Sequence, residues 1–226
     1  MRGQISSNFI DVLAERMGKD SYRFVNQGVA GYEAYNVLMR LDSAINLKPD
    51  YVVILVGTND VTATLSPTIA RLSRLTKKIP QPHTAQFYRE TIFQIVKTLK
   101  EKTSAKVGLI SLPILGEALE SLPTQRIREY NALLKEITIQ EQAGYLPVYE
   151  RQEEYLKNNQ HEAGRTFESG IKSSLMLLIR HYMLKQSFDT ISEKNGYLLV
   201  TDGIHMNSRG AAFIADEIES FLRENV

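Results

Sequence analysis

The chain has 226 residues, with 27 Lys and Arg against 26 Asp and Glu, four His, no Cys and no Trp. That length fits one domain or two small ones, and a chain of this size buries roughly three quarters of its unfolded surface, so it needs no covalent staples. The missing cysteine excludes disulfides, zinc–thiolate sites, iron–sulfur clusters and cysteine nucleophiles, and a net charge of +1 gives no electrostatic case for nucleic acid.

Helical and strand patterns alternate along the chain. Phe9, Ile10, Val12, Leu13 and Met17 recur at helical spacing over about 8–18, behind Ser and Asn residues suited to an N-cap. Tyr22 to Asn26 reads as a short strand broken by Gly28 and Gly31. Helical period returns over about 32–46. Tyr51 to Val56 is an unbroken apolar run between turn signals, the mark of a strand buried on both faces. Residues 61–83 read as a short helical piece and a loop holding Pro67, Pro80 and Pro82. An amphipathic helix follows over about 84–102, then a buried strand from Lys106 to Leu112, a helix over about 123–142 and an extended run from Tyr145 to Tyr149. Two helical stretches, about 150–158 and about 165–192, precede an extended Leu198–Val200 and a last helix over about 207–223. Strands alternating with long helices imply right-handed crossovers and an α/β fold on a parallel sheet. The expected organisation is one domain over 1–226 with a helical insert at about 150–192.

No stretch approaches the ~18 consecutive apolar residues of a membrane span. Met1 to Asn8 has no apolar h-region, so the sequence as it stands reads as cytoplasmic. His83, His161 and His181 have no partner at metal-ligand spacing and read as surface or core residues, so neither metal nor cofactor is expected.

Three short constellations stand at the carboxyl ends of predicted strands, where open parallel sheets bind ligands. In Gly57-Thr58-Asn59-Asp60 the glycine lets the backbone turn out of the sheet, and the asparagine amide can face a developing oxyanion; a plain turn would use the same residues. Asn26-Gln27-Gly28-Val29-Ala30-Gly31 could offer backbone N–H groups to an anion, or be an ordinary strand–helix turn. In Asp202-Gly203-Ile204-His205 a carboxylate three residues ahead of a histidine can accept a hydrogen bond from the ring and leave its other nitrogen free as a general base; a capping turn is the plainer reading.

Taken together and in this order, the three constellations resemble the SGNH (GDSL-type) hydrolase family. Gly57 to Asp60 is similar to the family's Gly-x-Asn-Asp block, Asn26 to Gly31 to the block carrying an oxyanion glycine, and Asp202 to His205 to the Asp-x-x-His block. Arg128 to Leu134 resembles the helix before the fifth strand. The likeness runs over roughly 3–226 except about 150–192. It implies a flavodoxin-like three-layer α/β/α fold with strand order 2-1-3-4-5, and hydrolysis of a small-molecule or lipid ester through a serine acyl-enzyme, with no metal. His205 would be the general base, Asp202 its orienter, and Asn59 and Gly31 oxyanion donors. Arg2-Gly3 fits the end of the family's first block, whose serine lies four residues earlier, upstream of Met1. The nucleophile and the first strand are therefore expected to be absent from these 226 residues, which are expected to be inactive and poorly folded alone. A missing N-terminus could also have held a signal for secretion. Ser6 and Ser7 suit N-cap duty better than nucleophilic attack. The alternatives are a non-catalytic binding module on the same fold and an anion- or nucleotide-binding protein using Gly28 and Gly31. Ile171 to Leu184 reads as a core-facing helix or a lid lined by Met176 and Met183. Oligomeric state and acyl-chain length are not legible.

Overall fold

The computed structural model describes residues 8–18, 22–159, 164–167 and 185–224. In chain order the described elements are α1 (Phe9–Met17), α2 (Ala34–Leu38), α3 (Asp42–Ile45), β1 (Tyr51–Ile54), α4 (Thr58–Leu65), α5 (Pro67–Lys77), α6 (Ala85–Lys102), β2 (Lys106–Ile110), α7 (Leu122–Glu141), β3 (Gly144–Leu146), α8 (Val148–Asn159), α9 (Phe188–Lys194) and α10 (Ser208–Glu224). They gather into two compact units. One takes in Met1–Asn26, Pro113–Gln125 and Val148–Ser220; the other takes in Gln27–Leu112, Arg126–Pro147 and Phe221–Val226.

The second unit holds a parallel sheet in the order β1-β2-β3, with Tyr51 opposite Lys106 and Gly108 opposite Gly144. This is the 3-4-5 run of the order the resemblance implies. α6 explains itself from its sequence. Thr84 caps it by accepting from the Phe87 N–H at 3.1 Å, and Tyr88, Ile92, Ile95, Val96 and Leu99 form its buried stripe. That stripe packs α6 on α2 and β2. Phe221 packs on the sheet because Gly144 has no side chain; a Cβ there would stand 2.5 Å from the ring. Asn131 on α7 holds the end of β2 by both backbone groups of Leu112, accepting from N–H at 2.6 Å and donating to C=O at 3.1 Å.

The first unit is fixed by buried polar side chains as much as by its apolar residues. Gln152 on α8 is fully buried, accepts from the Ile114 N–H at 3.1 Å and donates to the Gly210 C=O at 3.3 Å. Both ends of its amide are thereby satisfied. Arg16 on α1 reaches Asp216 at 2.6 Å and Glu219 at 3.6 Å on α10.

Several sequence expectations change. The extended run expected over Tyr145–Tyr149 ends at Leu146, and Val148 and Tyr149 open α8. Tyr22–Asn26 forms no strand; its residues have no regular secondary structure, since an extended run becomes a strand only with a ladder partner. Residues 61–83 hold helix where a loop was expected. Ser66 accepts from the Ile69 N–H at 3.4 Å and Pro67 sits at the first helical position, so the proline starts α5 instead of ending a helix. The helix expected over 32–46 is two, α2 and α3, separated by i→i+3 bonds from Arg40 to Val37 and Leu41 to Leu38. The helix expected over about 165–192 is not continuous: residues 164–167 and 185–187 are non-helical, and α9 begins afresh behind the Ser187 cap. The Ile171–Leu184 segment, His161, His181, Ser6 and Ser7 lie outside the described residues.

Candidate active site

Asp202 and His205 belong to the first unit, Gly31 and Asn59 to the second. The loop carrying Asp202 is held from behind. Glu117, 1% exposed, accepts the N–H of Leu198 at 2.9 Å, of Leu199 at 2.7 Å and of Val200 at 3.2 Å. Asn207 donates to the Leu198 C=O at 3.0 Å and to Ser192 Oγ at 2.8 Å. An antiparallel bridge between Val200 and Met206, with the Thr201 N–H on the His205 C=O at 2.8 Å, closes the loop on itself. The expected extended Leu198–Val200 is thus a bent segment pinned by a carboxylate, with a single bridge in place of a strand.

Inside that loop Asp202 accepts the backbone N–H of Ile204 at 3.2 Å and of His205 at 3.0 Å. Its two oxygens stand 3.1 and 2.9 Å from His205 Nδ1. Burial works to raise the Asp202 pKa, but the hydrogen bond and charge of His205 and the two N–H donors outweigh it and hold the carboxylate below its ordinary value. The Asp202 side chain is 3% exposed and that of His205 22%. The geometry therefore assigns Nδ1 to the carboxylate and leaves Nε2 as the ring's second proton-carrying position.

In the second unit Gly57 turns the chain from β1 into α4 at φ +137°. A Cβ there would lie 2.5 Å from the Tyr88 hydroxyl, which donates to the Val56 C=O at 2.9 Å. Only glycine fits. Asn59, in the first turn of α4, donates through Nδ2 to the Tyr32 C=O at 3.0 Å. Asp60 accepts the Ala34 N–H at 3.1 and 3.3 Å. Gly31, at φ +80°, sits in the turn closed by the Tyr32 N–H on the Val29 C=O at 3.2 Å. Neighbouring residues of α4 thus anchor the turn that carries Gly31. A cavity of about 200 Å³ is lined by Gly28, Tyr32, Gly57 and Asn59. Burial, with the nearby Glu33 charge, pushes the Asp60 carboxyl up to about 8, against the opposing pull of the Ala34 N–H, its own backbone and Lys77. Glu33 meets Lys77 at 3.1 Å, His83 Nε2 at 2.9 Å and the Ser73 hydroxyl.

Sequence reasoning missed Glu117, the Asp60 anchor and the Glu33 cluster. Glu117 left one signal, a lone acid after the apolar run Pro113–Gly116. Glu33 left none, because its partners are 40 to 50 residues away. Among the described residues no three His, Asp or Glu side chains gather as a metal site, and no helix is long and apolar enough to cross a membrane.

Comparison with known proteins agrees with this α/β architecture. An acetyl xylan esterase, AlAXEase, is 20% identical with a TM-score of 0.66, over 94% of this chain and 89% of that one. LAE5, described as an alpha/beta hydrolase enzyme from the metagenome of Lake Arreo, Spain, is 19% identical with a TM-score of 0.65, over 94% and 79%. Axe2, an acetylxylan esterase from Geobacillus stearothermophilus, is 16% identical with a TM-score of 0.66, over 96% and 80%. At these identities the likeness is one of fold. No curated protein matches the sequence significantly. The model of the GDSL-like lipase/acylhydrolase family matches residues 3–213, and the chain belongs to that family.

Proposed function

We propose that the protein hydrolyses a carboxylic ester through a serine acyl-enzyme, with His205 as general base and Asp202 as its orienter. The observation that carries this reading is the buried Asp202 carboxylate on His205 Nδ1. The serine hydroxyl gives its proton to Nε2 as oxygen attacks the ester carbonyl. The imidazolium that forms is stabilised by Asp202 and returns the proton to the leaving alcohol, and water then repeats the cycle on the acyl-enzyme. The Asn59 amide, fixed by one N–H on the Tyr32 C=O, has a second N–H for the oxyanion, and the backbone N–H of Gly31 is the other donor. Gly-Asp-Ser occurs nowhere in the 226 residues, so the nucleophile in this proposal comes from sequence outside them. The esterase neighbours support a small acyl group, acetyl on a sugar being the first class to try.

The test is p-nitrophenyl acetate hydrolysis by the polypeptide that includes the upstream reading frame. We expect turnover that falls at least ~10³-fold in His205→Ala and by a similar factor in Asp202→Asn. Absence of hydrolysis, or no Gly-Asp-Ser upstream, would overturn the proposal in favour of a non-catalytic binding module.

A further inference from the structure

The second unit holds a larger cavity, about 830 Å³, that the ester chemistry does not use. It is framed by α5, the Pro82–Ala85 segment and the start of α7. Three buried polar atoms of its lining meet no hydrogen-bond partner among the described residues: His83 Nδ1, Arg126 Nε and the Tyr130 hydroxyl. The His83 side chain is 4% exposed and Tyr130 1% exposed. Unpaired buried polar atoms are rare in folded proteins, because each forfeits its hydration. Three that line one cavity mark a place where a ligand supplies the partners.

The charge of the lining gives the ligand's class. Arg71 and Arg74 stand exposed on α5, and Arg126 faces them on the same lining. Against these three cations the lining has one acid, Glu129, which is tied to Arg126 NH1 at 2.7 Å. That contact leaves Arg126 Nε unused. His83 spends Nε2 on the Glu33 carboxylate at 2.9 Å, which leaves Nδ1 without a partner on the cavity lining. Burial raises the Tyr130 phenol well above its ordinary value, with Asp60 and Glu129 adding to the effect, so Tyr130 enters as a neutral O–H donor. The volume far exceeds one oxyanion, and Pro67, Leu75, Ile79 and Pro82 offer an apolar wall.

We propose that this cavity binds a small molecule carrying a phosphate or carboxylate group, the oxyanion held by Arg126 and Tyr130 and screened by Arg71 and Arg74, with His83 Nδ1 as a further polar contact. The proposal is independent of the hydrolase reading.

The experiment is thermal unfolding of the protein with millimolar inorganic phosphate, glucose 6-phosphate, glucuronate or glucose. A ligand bound only by the folded state raises the midpoint as its concentration passes Kd. We expect glucose 6-phosphate or glucuronate to raise the midpoint by several degrees, phosphate alone by less, and glucose not at all. A larger shift with glucose 6-phosphate identifies a phosphate monoester, and one with glucuronate a carboxylate. Tyr130→Phe and Arg126→Gln should abolish the shift. The double variant R71Q/R74Q changes only exposed helix positions and should weaken it at least tenfold without altering the ligand-free midpoint. No shift with any anion would overturn the proposal, as would equal shifts in wild type and R71Q/R74Q, which mark general salt stabilisation.

Discussion

Asp60→Asn tests the electrostatics of the second unit directly. Asp60 is 6% exposed and its folded pKa is lifted from 3.8 to about 8. At pH 7 the folded protein therefore holds a proton there that the unfolded chain has released. A raised folded pKa gives stability that is complete below the unfolded value near 4 and is lost as pH rises to 8. The slope is about 1.4 kcal/mol per pH unit, and the full window amounts to roughly 6 kcal/mol. For a chain this long that corresponds to roughly 3–5 °C of midpoint per pH unit. Asn keeps an acceptor for the Ala34 N–H and cannot ionise. The assay is urea or thermal unfolding of both proteins at pH 5, 6, 7, 8 and 9. Groups that do not sense the Asp60 charge titrate equally in both, so the difference isolates Asp60 and its coupling to neighbours such as Glu33. The two should be nearly equal at pH 5, and the variant should lead from about pH 6 on, by roughly 4 kcal/mol at pH 8, with the lead levelling off above that. Parallel profiles, or a variant less stable than wild type at pH 9, would refute the reasoning.

Gly57→Ala should destabilise by about 2–4 kcal/mol in urea unfolding, because the new methyl meets the Tyr88 ring and the backbone stands at φ +137°. Glu117→Gln retains one acceptor oxygen but turns an NH₂ toward backbone donors, for a loss of about 2–3 kcal/mol; hydrogen exchange at Leu198, Leu199 and Val200 should quicken first. Asp202 has a lowered folded pKa, so its contribution is present above about pH 4 and disappears as pH falls further. Asp202→Asn should therefore flatten the acid limb of the stability profile below about pH 4. Asn131→Ala removes both partners of the Leu112 peptide and should cost about 2–4 kcal/mol.

The elements that sequence periodicity located best are those whose signal is local or an unbroken apolar run, although β1 is only half-buried over Tyr51–Val53. α6 has its cap, its stripe and its basic last turn, Lys100 and Lys102, within 19 residues. β1 and β2 sit within apolar runs that admit no other reading of comparable length. Tyr22–Asn26 misled because strand propensity says nothing about a pairing partner. Pro67 misled because a proline that begins a helix and one that ends it look alike until the Ser66 cap is recognised. At the candidate site, a spacing of three was enough to set the Asp202 carboxylate at the His205 ring, since one tight loop joins them. Gly57 and Gly31 both stand at positive φ, which glycine in a strand–helix turn suggests. Glu33 was not legible and Glu117 only as a lone acid after an apolar run, because their partners are remote in sequence and a glutamate reads by default as solvated surface.

Among the described residues four buried acids, Glu117, Glu33, Asp60 and Asp202, hold loops, and their partners explain why they differ. Glu117 accepts three consecutive backbone N–H groups, an arrangement that favours the charged carboxylate. Glu33 has the Lys77 ammonium, the His83 ring and the Ser73 hydroxyl. Asp60 has backbone N–H groups only, that of Ala34 and its own, with Glu33 close enough to repel a second negative charge. Where donors are few and a like charge is near, the proton is the cheapest remaining partner. Asp60 thus anchors the Gly31-bearing turn as a largely neutral acid near pH 7, whereas Asp202, with two N–H groups and a histidine, serves its own loop as a carboxylate. The same residue type at two turns is driven to opposite protonation states by its donor count, and only the second state can stabilise an imidazolium.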